Sequence, residues 1–262
     1  MGHDAVLRSG EVATTEWRLV PREMVSAAWA MALEEVILEV VASGGPPTLR
    51  FWTWDPSAAS IGRFQDVDAE VDLEVCHLMG YDVVRRMSGG GAVFHDRDGE
   101  FVYSVTAPEG MFPGGVVEAY RLVLGRLSQG LASLGLEPWV KDGNNLMVGD
   151  RKVSGNSQRR SGGVMQVHGT VLVKADEGTM FSVLRARSGQ PMEGRATPSR
   201  HHPVAGLFSL CGADDDAIYD AVRRSLLADD GATITSWTEE ELTSAEGLVR
   251  TKYGLDEWNL LL

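Results

Sequence analysis

The sequence predicts an α+β fold, with mixed or largely antiparallel β-sheets packed against helices in a single domain. Three observations carry that expectation. Strand-like and helix-like segments intermix without regular strand–helix–strand alternation, which disfavours a parallel wound sheet. The Gly149-Asp150 turn signal separates two strand-like runs at hairpin spacing. The 262 residues, 44% apolar and 23% charged, suffice for one sizeable core of ordinary globular composition.

The elements follow in order. Between Val25 and Val40, apolar residues at Val25, Ala28, Trp29, Ala32, Val36 and Val40 form one helical stripe, broken by Gly44-Gly45-Pro46-Pro47. Strands are expected at Thr48–Trp54 and Ala58–Ile61, separated by the turn signal Asp55-Pro56. A helix over Val71–Met79 should stop at Gly80. Tyr81–Arg86 reads as a strand feeding the loop Ser88-Gly89-Gly90-Gly91, and Ala92–His95 as the strand leaving it. Glu100–Val105 alternates as a half-buried strand does, and Val116–Leu134 has the period of a long amphipathic helix. Asn145–Val148 and Lys152–Ser154 form the predicted hairpin, and Val164–Val173 another strand. Arg187–Pro203, rich in Gly, Pro, Ser and Arg, reads as a long loop. A helix at Ala217–Leu227, a strand at Thr233–Trp237 and a helix opened by the capping box Thr238-x-x-Glu241 complete the chain.

Composition excludes several function classes. A net charge of −13 disfavours a surface devoted to nucleic acid, which needs a basic excess. No stretch approaches the roughly 18 apolar residues of a membrane span, and the N-terminus lacks an apolar leader core, so a cytoplasmic protein is expected. The two cysteines, Cys76 and Cys211, make neither a metal motif nor a disulfide framework. His201-His202 lacks the cysteine or carboxylate spacing of a metal site, so none is expected.

Three segments carry chemistry. In Arg85-Arg86-Met87-Ser88-Gly89-Gly90-Gly91-Ala92-Val93-Phe94-His95-Asp96, glycines permit close backbone approach while the arginines supply positive charge beside them. A bare triple glycine is equally a turn; its Arg-Arg, Ser and His-Asp companions favour a binding loop. In Gly149-Asp150-Arg151-Lys152-Val153-Ser154-Gly155-Asn156, small residues after Lys152 leave room for its ammonium to face a carboxylate or phosphate. His168-Gly169-Thr170 places a histidine on a strand. The chain has no G-x-x-x-x-G-K-[ST] phosphate loop, no G-x-G-x-x-G fingerprint and no G-x-S-x-G elbow.

Together these segments resemble the lipoate–protein ligase catalytic domain, part of the biotin and lipoate ligase superfamily that also includes octanoyltransferases. The likeness extends upstream to Thr48–Trp52 and Ser60–Gln65, and downstream to Lys252-Tyr253-Gly254 and Glu257-Trp258-Asn259. It implies a biotin/lipoate ligase-like fold and an enzyme that forms lipoyl-AMP from lipoate and ATP, with Mg²⁺ as MgATP, and transfers the lipoyl group to a carrier lysine. Lys152 would be catalytic, contacting the lipoate carboxyl and then the bridging oxygens of the adenylate. Arg86, Ser88, Gly89, Gly90, Gly91, Ala92 and His95 would line the acyl and adenylate pocket. Asn144, Asn145 and Gly155 would join them, with His168 and Gly169 opposite. The implied carrier is a glycine cleavage H protein or a 2-oxoacid dehydrogenase E2 lipoyl domain.

Two departures stand out. The chain has Asn144-Asn145 where family ligases usually carry Asn-Asp, and an amide binds Mg²⁺ less well than a carboxylate. It also ends just after Asn259, without the C-terminal accessory domain of long ligases, so a separate accessory protein is expected. Arg85, Arg86, Arg151, Lys152, Arg159 and Arg160 are expected to form a basic rim that steers an acidic carrier. An octanoyltransferase of the same fold ranks second. Those resembling this chain place the nucleophilic cysteine roughly fifteen residues before the lysine, and Leu131–Arg151 contains none. Without a thiol, nucleophilic catalysis looks hard to arrange here. A non-catalytic acyl or adenylate binding protein is the third reading.

Overall fold

Two tryptophans on one strand set the plan: Trp52 and Trp54 point to one face of a sheet while Leu49 and Phe51 point to the other, and both faces are buried. A computed structural model describes residues 16–112, 114–185, 197, 199–228 and 231–261. In chain order the elements are β1 (Trp17–Val25), α1 (Ala27–Ala42), β2 (Thr48–Trp54), β3 (Ala58–Ile61), α2 (Val67–Glu70), α3 (Leu73–Met79), β4 (Asp82–Arg85), β5 (Val93–His95) and β6 (Glu100–Pro108). Then come α4 (Gly115–Ala132), β7 (Pro138–Lys141), β8 (Asn145–Val148), β9 (Arg151–Ser161), β10 (Val164–Leu172), α5 (Glu177–Val183) and α6 (Leu207–Cys211). The chain closes with α7 (Asp215–Leu227), β11 (Ala232–Ile234), α8 (Glu239–Leu248) and α9 (Asp256–Asn259).

The larger sheet has eight strands in the order β11-β1-β2-β6-β10-β9-β8-β7. Its β11, β1 and β2 are mutually parallel and the rest pair antiparallel, which is the mixed sheet expected. Leu49, Phe51, Phe101, Tyr103, Met165 and Val167 pack one face against α4 and α7. On the other face Trp52, Trp54 and Val102 meet Ala30 and Leu33 of α1, with Ala245 of α8 behind. A second sheet, β4-β3-β5, sits beside α1, backed by α3 and α5.

Most predicted elements stand within a residue or two of their expected bounds; the strand expected at Lys152–Ser154 runs on to Ser161 and the one expected at Thr233–Trp237 ends at Ile234. Four other elements are instructive. β6 is buried along nearly its whole length rather than half-buried. Its polar side meets α1: Gln166 Nε2 donates to Thr106 Oγ1 at 3.1 Å and to the Glu34 carbonyl at 2.8 Å. The helix expected over Val71–Met79 begins at Leu73, because the Asp72 carboxylate caps it by accepting from the Val75 amide. β1 carries little strand signal in the sequence because its run Trp17–Val25 contains Pro21 and three charges, Arg18, Arg22 and Glu23; its first half is buried between β11 and β2. β7 gives an equally weak signal, being a short edge strand with exposed Trp139 and Val140. The Thr238–Glu241 capping box is present with both reciprocal bonds. Most of the loop expected at Arg187–Pro203 lies outside the described residues.

Candidate active site

Between the α1 face of the large sheet and the small sheet lies a cavity of about 470 Å³. Met31, Trp52, Trp54 and Val102 give it an apolar floor, and Arg86, His95, Lys152 and His168 bring polar atoms to it. An apolar cavity with a few convergent polar groups is the usual form of a small-molecule site.

The glycine loop is built around Arg86. Its Nη2 donates to the carbonyls of Gly89 (2.8 Å) and Gly91 (2.7 Å), its Nη1 to the Ser60 carbonyl (3.1 Å), and its Nε to Ser88 Oγ (3.2 Å). The guanidinium is thus a strut inside the loop, and burial pushes its pKa down to about 10. Gly90 adopts φ +94°, the left-handed region that favours glycine. Gly62 lies so close beneath that a Cβ there would meet the Gly90 carbonyl oxygen at 2.2 Å. Arg85 points elsewhere: it donates to the carbonyls of Gly62, Gln65 and Trp258 and does not line the cavity. The expectation that both arginines charge the loop is therefore corrected; alternation along β4 sends successive side chains to opposite faces.

Lys152 enters from the hairpin. Its backbone is clamped by a neighbouring segment: the Lys152 amide donates to the Pro203 carbonyl at 2.8 Å and the Ala205 amide to the Lys152 carbonyl at 3.0 Å. Burial pushes the ammonium's pKa down to about 8, with Arg86 acting in the same direction and Glu100 opposing both.

Across the cavity His168 is held from both sides, its Nε2 2.8 Å from Ser88 Oγ and its Nδ1 3.3 Å from Glu34 Oε2. Asn144 and Asn156 brace the hairpin: Asn144 Nδ2 donates to the Asn156 carbonyl at 2.9 Å, and the Asn156 amide to the Asn144 carbonyl at 3.0 Å. The Tyr103 hydroxyl donates to Asn156 Oδ1 at 2.6 Å. A third network joins Ser60, His95 and Glu100. Ser60 Oγ lies 2.7 Å from His95 Nε2, and His95 Nδ1 lies 2.6 Å from Glu100 Oε1.

Of the residues named from sequence, Arg86, Gly90, Gly91, Ala92 and His95 line the cavity together with Lys152. Asn144, Asn145, Gly155, His168 and Gly169 line it as well. Ser88 and Gly89 stand behind it, holding His168 and Arg86. Sequence reading missed the tryptophan floor, Asn156, and the pairing of Ser60 and Glu100 with His95. The available signal was a polar side chain interrupting buried strands, Ser60 in Ala-Ala-Ser-Ile and Glu100 opening an apolar run.

Both thiols lie outside the site. Cys76 is packed among Ile61, Val67, Val71 and Phe94, and burial raises its pKa to about 11. Cys211 Sγ donates to the Leu207 carbonyl on α6 at 3.2 Å. The donors facing the cavity suit a divalent cation poorly: Asp142 is the single carboxylate among the described lining residues, Asn144 and Asn145 are amides, and no cluster of three metal-ligating side chains occurs among the described residues. The expected basic rim is not formed either. Arg85, Arg86 and Lys152 are drawn inward, Arg160 pairs with Glu109 at 3.1 Å, and Arg151 alone of the six is exposed. No helix among the described residues is long and apolar enough to cross a membrane.

Known proteins share this framework. Two relatives, each called octanoyltransferase LipM, align over almost their full length. The one from Symbiobacterium thermophilum is 35% identical over 94% of this chain and 98% of its own, and that from Bacillus subtilis is 30% identical over 93% and 97%. These relatives favour the octanoyltransferase reading over the ligase reading, against the order that the missing thiol suggests. Among solved structures, a lipoate-protein ligase A bound with ATP superposes with a TM-score of 0.81 at 25% identity, covering 94% of this chain and 98% of that one. A bi-partite lipoate protein ligase from Thermoplasma acidophilum, studied with its E2 lipoyl domain, gives 0.80 at 25% identity over 94% and 96%. The lipoyl protein ligase A/B catalytic domain matches residues 26–228, and the chain belongs to that family.

Proposed function

We propose that this protein is an acyltransferase that moves an octanoyl group from a thioester donor to a lysine of a lipoyl-carrier protein. The observation carrying this reading is the Lys152 ammonium, largely buried and aimed into a cavity with an apolar floor. The acyl chain lies against Met31, Trp52, Trp54 and Val102, which places its carbonyl at the polar end. As the carbonyl becomes tetrahedral its oxygen gains negative charge, and a preorganised cation in a low-dielectric site stabilises that charge more than water does. Full-length relatives called octanoyltransferases support the choice of octanoyl and of a donor already activated.

A second reading has one observation in its favour. Neither cysteine is at the cavity, so the covalent route by a thiol is closed, and an acyl-adenylate made from ATP is an activated donor that needs no enzyme nucleophile. The structural neighbour bound with ATP supports it, as does the bi-partite one for a separate accessory partner. One experiment separates the two. The purified protein receives a lipoyl domain and either an octanoyl-carrier thioester or octanoate with ATP and Mg²⁺, and the lipoyl domain is weighed by mass spectrometry. Acylation from the thioester alone is expected. Acylation only with ATP favours the ligase, and acylation from neither sinks both.

A further inference from the structure

The cavity holds a candidate nucleophile other than a thiol. We propose that Ser60 carries the acyl group as an ester between donor and acceptor, with His95 as its general base and Glu100 as the residue that positions His95. The inference rests on the acyl-transfer reading above.

Three observations carry it. The distances match a nucleophile, a base and an orienting carboxylate in series: 2.7 Å from Ser60 Oγ to His95 Nε2 and 2.6 Å from His95 Nδ1 to Glu100 Oε1. The three side chains come from β3, β5 and β6, and the Trp54 ring stacks on the imidazole at 4.1 Å, so the base has one orientation. Ser60 and His95 also line the same cavity as Lys152. A hydroxyl that merely fills a buried position is satisfied by any backbone carbonyl, whereas this one meets an imidazole whose other nitrogen meets a carboxylate.

Only one tautomer serves. With Nδ1–H donating to ionised Glu100, Nε2 is free to accept the Ser60 hydroxyl hydrogen. Burial, with the Asp96 charge adding to it, holds the Glu100 carboxyl well above the usual carboxylate range, and the Lys152 charge pulls it back toward the ionised form that this tautomer needs. Burial, reinforced by Arg86, keeps His95 neutral, the form a base must have. Arg86 Nη1 lies 3.4 Å from Ser60 Oγ and favours developing negative charge there.

The steps balance without a co-reactant. Ser60 Oγ attacks the thioester carbonyl carbon, its proton passes to His95 Nε2, and the oxyanion faces Lys152. The C–S bond then breaks and the thiolate leaves as a thiol with the proton from His95. In the second half the neutral amine of the carrier lysine attacks the ester and gives a proton to His95. The C–O bond breaks and Ser60 recovers its proton, leaving an amide on the carrier.

The test combines trapping and kinetics on the full chain. Acid quenching after octanoyl-carrier thioester is added, with no acceptor present, should place one octanoyl group on the Ser60 peptide, and a lipoyl domain should discharge it. Initial rates with both substrates varied should give parallel double-reciprocal lines. Ser60→Ala should melt like the parent and lose transfer by at least roughly a hundredfold, the low end of what a positioned base contributes. Ser60→Cys should keep an acyl adduct, now labile to hydroxylamine, and become sensitive to iodoacetamide. Glu100→Gln should lower kcat with the thioester KM unchanged. Intersecting lines, or near-parental transfer by Ser60→Ala, overturn the serine route while leaving acyl transfer intact. Absence of transfer from any donor overturns both.

Discussion

A Cβ placed on Gly155 would stand 2.5 Å from Nζ of Lys152 and 2.7 Å from its Cε. The ammonium therefore occupies the space that a side chain three residues along β9 would take. Gly155→Ala should displace the ammonium without removing it. Transfer is expected to fall by about a hundredfold, the cost of misplacing a catalytic group by roughly 1 Å, with little change in the thermal melt. Unchanged steady-state rates would mean that the exact position of Lys152 is immaterial.

Lys152 also sets a pH dependence. Its pKa in the folded protein is lowered to about 8, so the side chain is an ammonium below that pH and a neutral amine above it. A bound carboxylate needs the ammonium. Affinity for octanoate, measured by titration calorimetry, should hold below pH 8 and weaken roughly tenfold per unit above it. Lys152→Ala should bind weakly at every pH and lose about 10²–10³ in transfer rate. A flat profile in the unmutated protein would contradict the assignment.

The glycine loop has a steric requirement at Gly90. Its φ of +94° is rarely adopted by other residues, and a Cβ would reach 3.1 Å from Arg86 Nη2. Gly90→Val should cost about 1–3 kcal/mol of backbone strain and should weaken octanoate binding by disturbing the Arg86 strut. A melt and an affinity equal to the parent's would show that the loop is only a turn.

The two cysteines should be dispensable. Cys76→Ala together with Cys211→Ser removes every thiol in the chain, and neither residue lines the cavity. Transfer to the lipoyl domain should persist at the parental kcat. A dead but folded double variant would make one of these thiols a nucleophile.

Much of the fold was legible in the sequence because its signals are local. The 3.6-residue period of α1 and α4, the Gly149-Asp150 turn and the Thr238–Glu241 cap each depend on neighbours a few residues apart. The glycine loop and Lys152 were legible for the same reason, each announced by small residues in an unbroken run. What tertiary structure decided is which side chains meet. Alternation along β4 turned Arg85 toward Gln65 and Trp258 while Arg86 became the loop's strut, although the sequence presents them as an equal pair. Ser60, His95 and Glu100 belong to three strands of two sheets, and nothing in their spacing foretells contacts of 2.7 and 2.6 Å. The absence of a cysteine near Lys152 was plain in the sequence, but whether another nucleophile faces the cavity was not. That depends on the pairing of β3 with β5 inside the small sheet, which sets Ser60 against the imidazole, and on the approach of the large sheet, which brings Glu100 to His95 and near enough to Lys152 for their charges to act on each other.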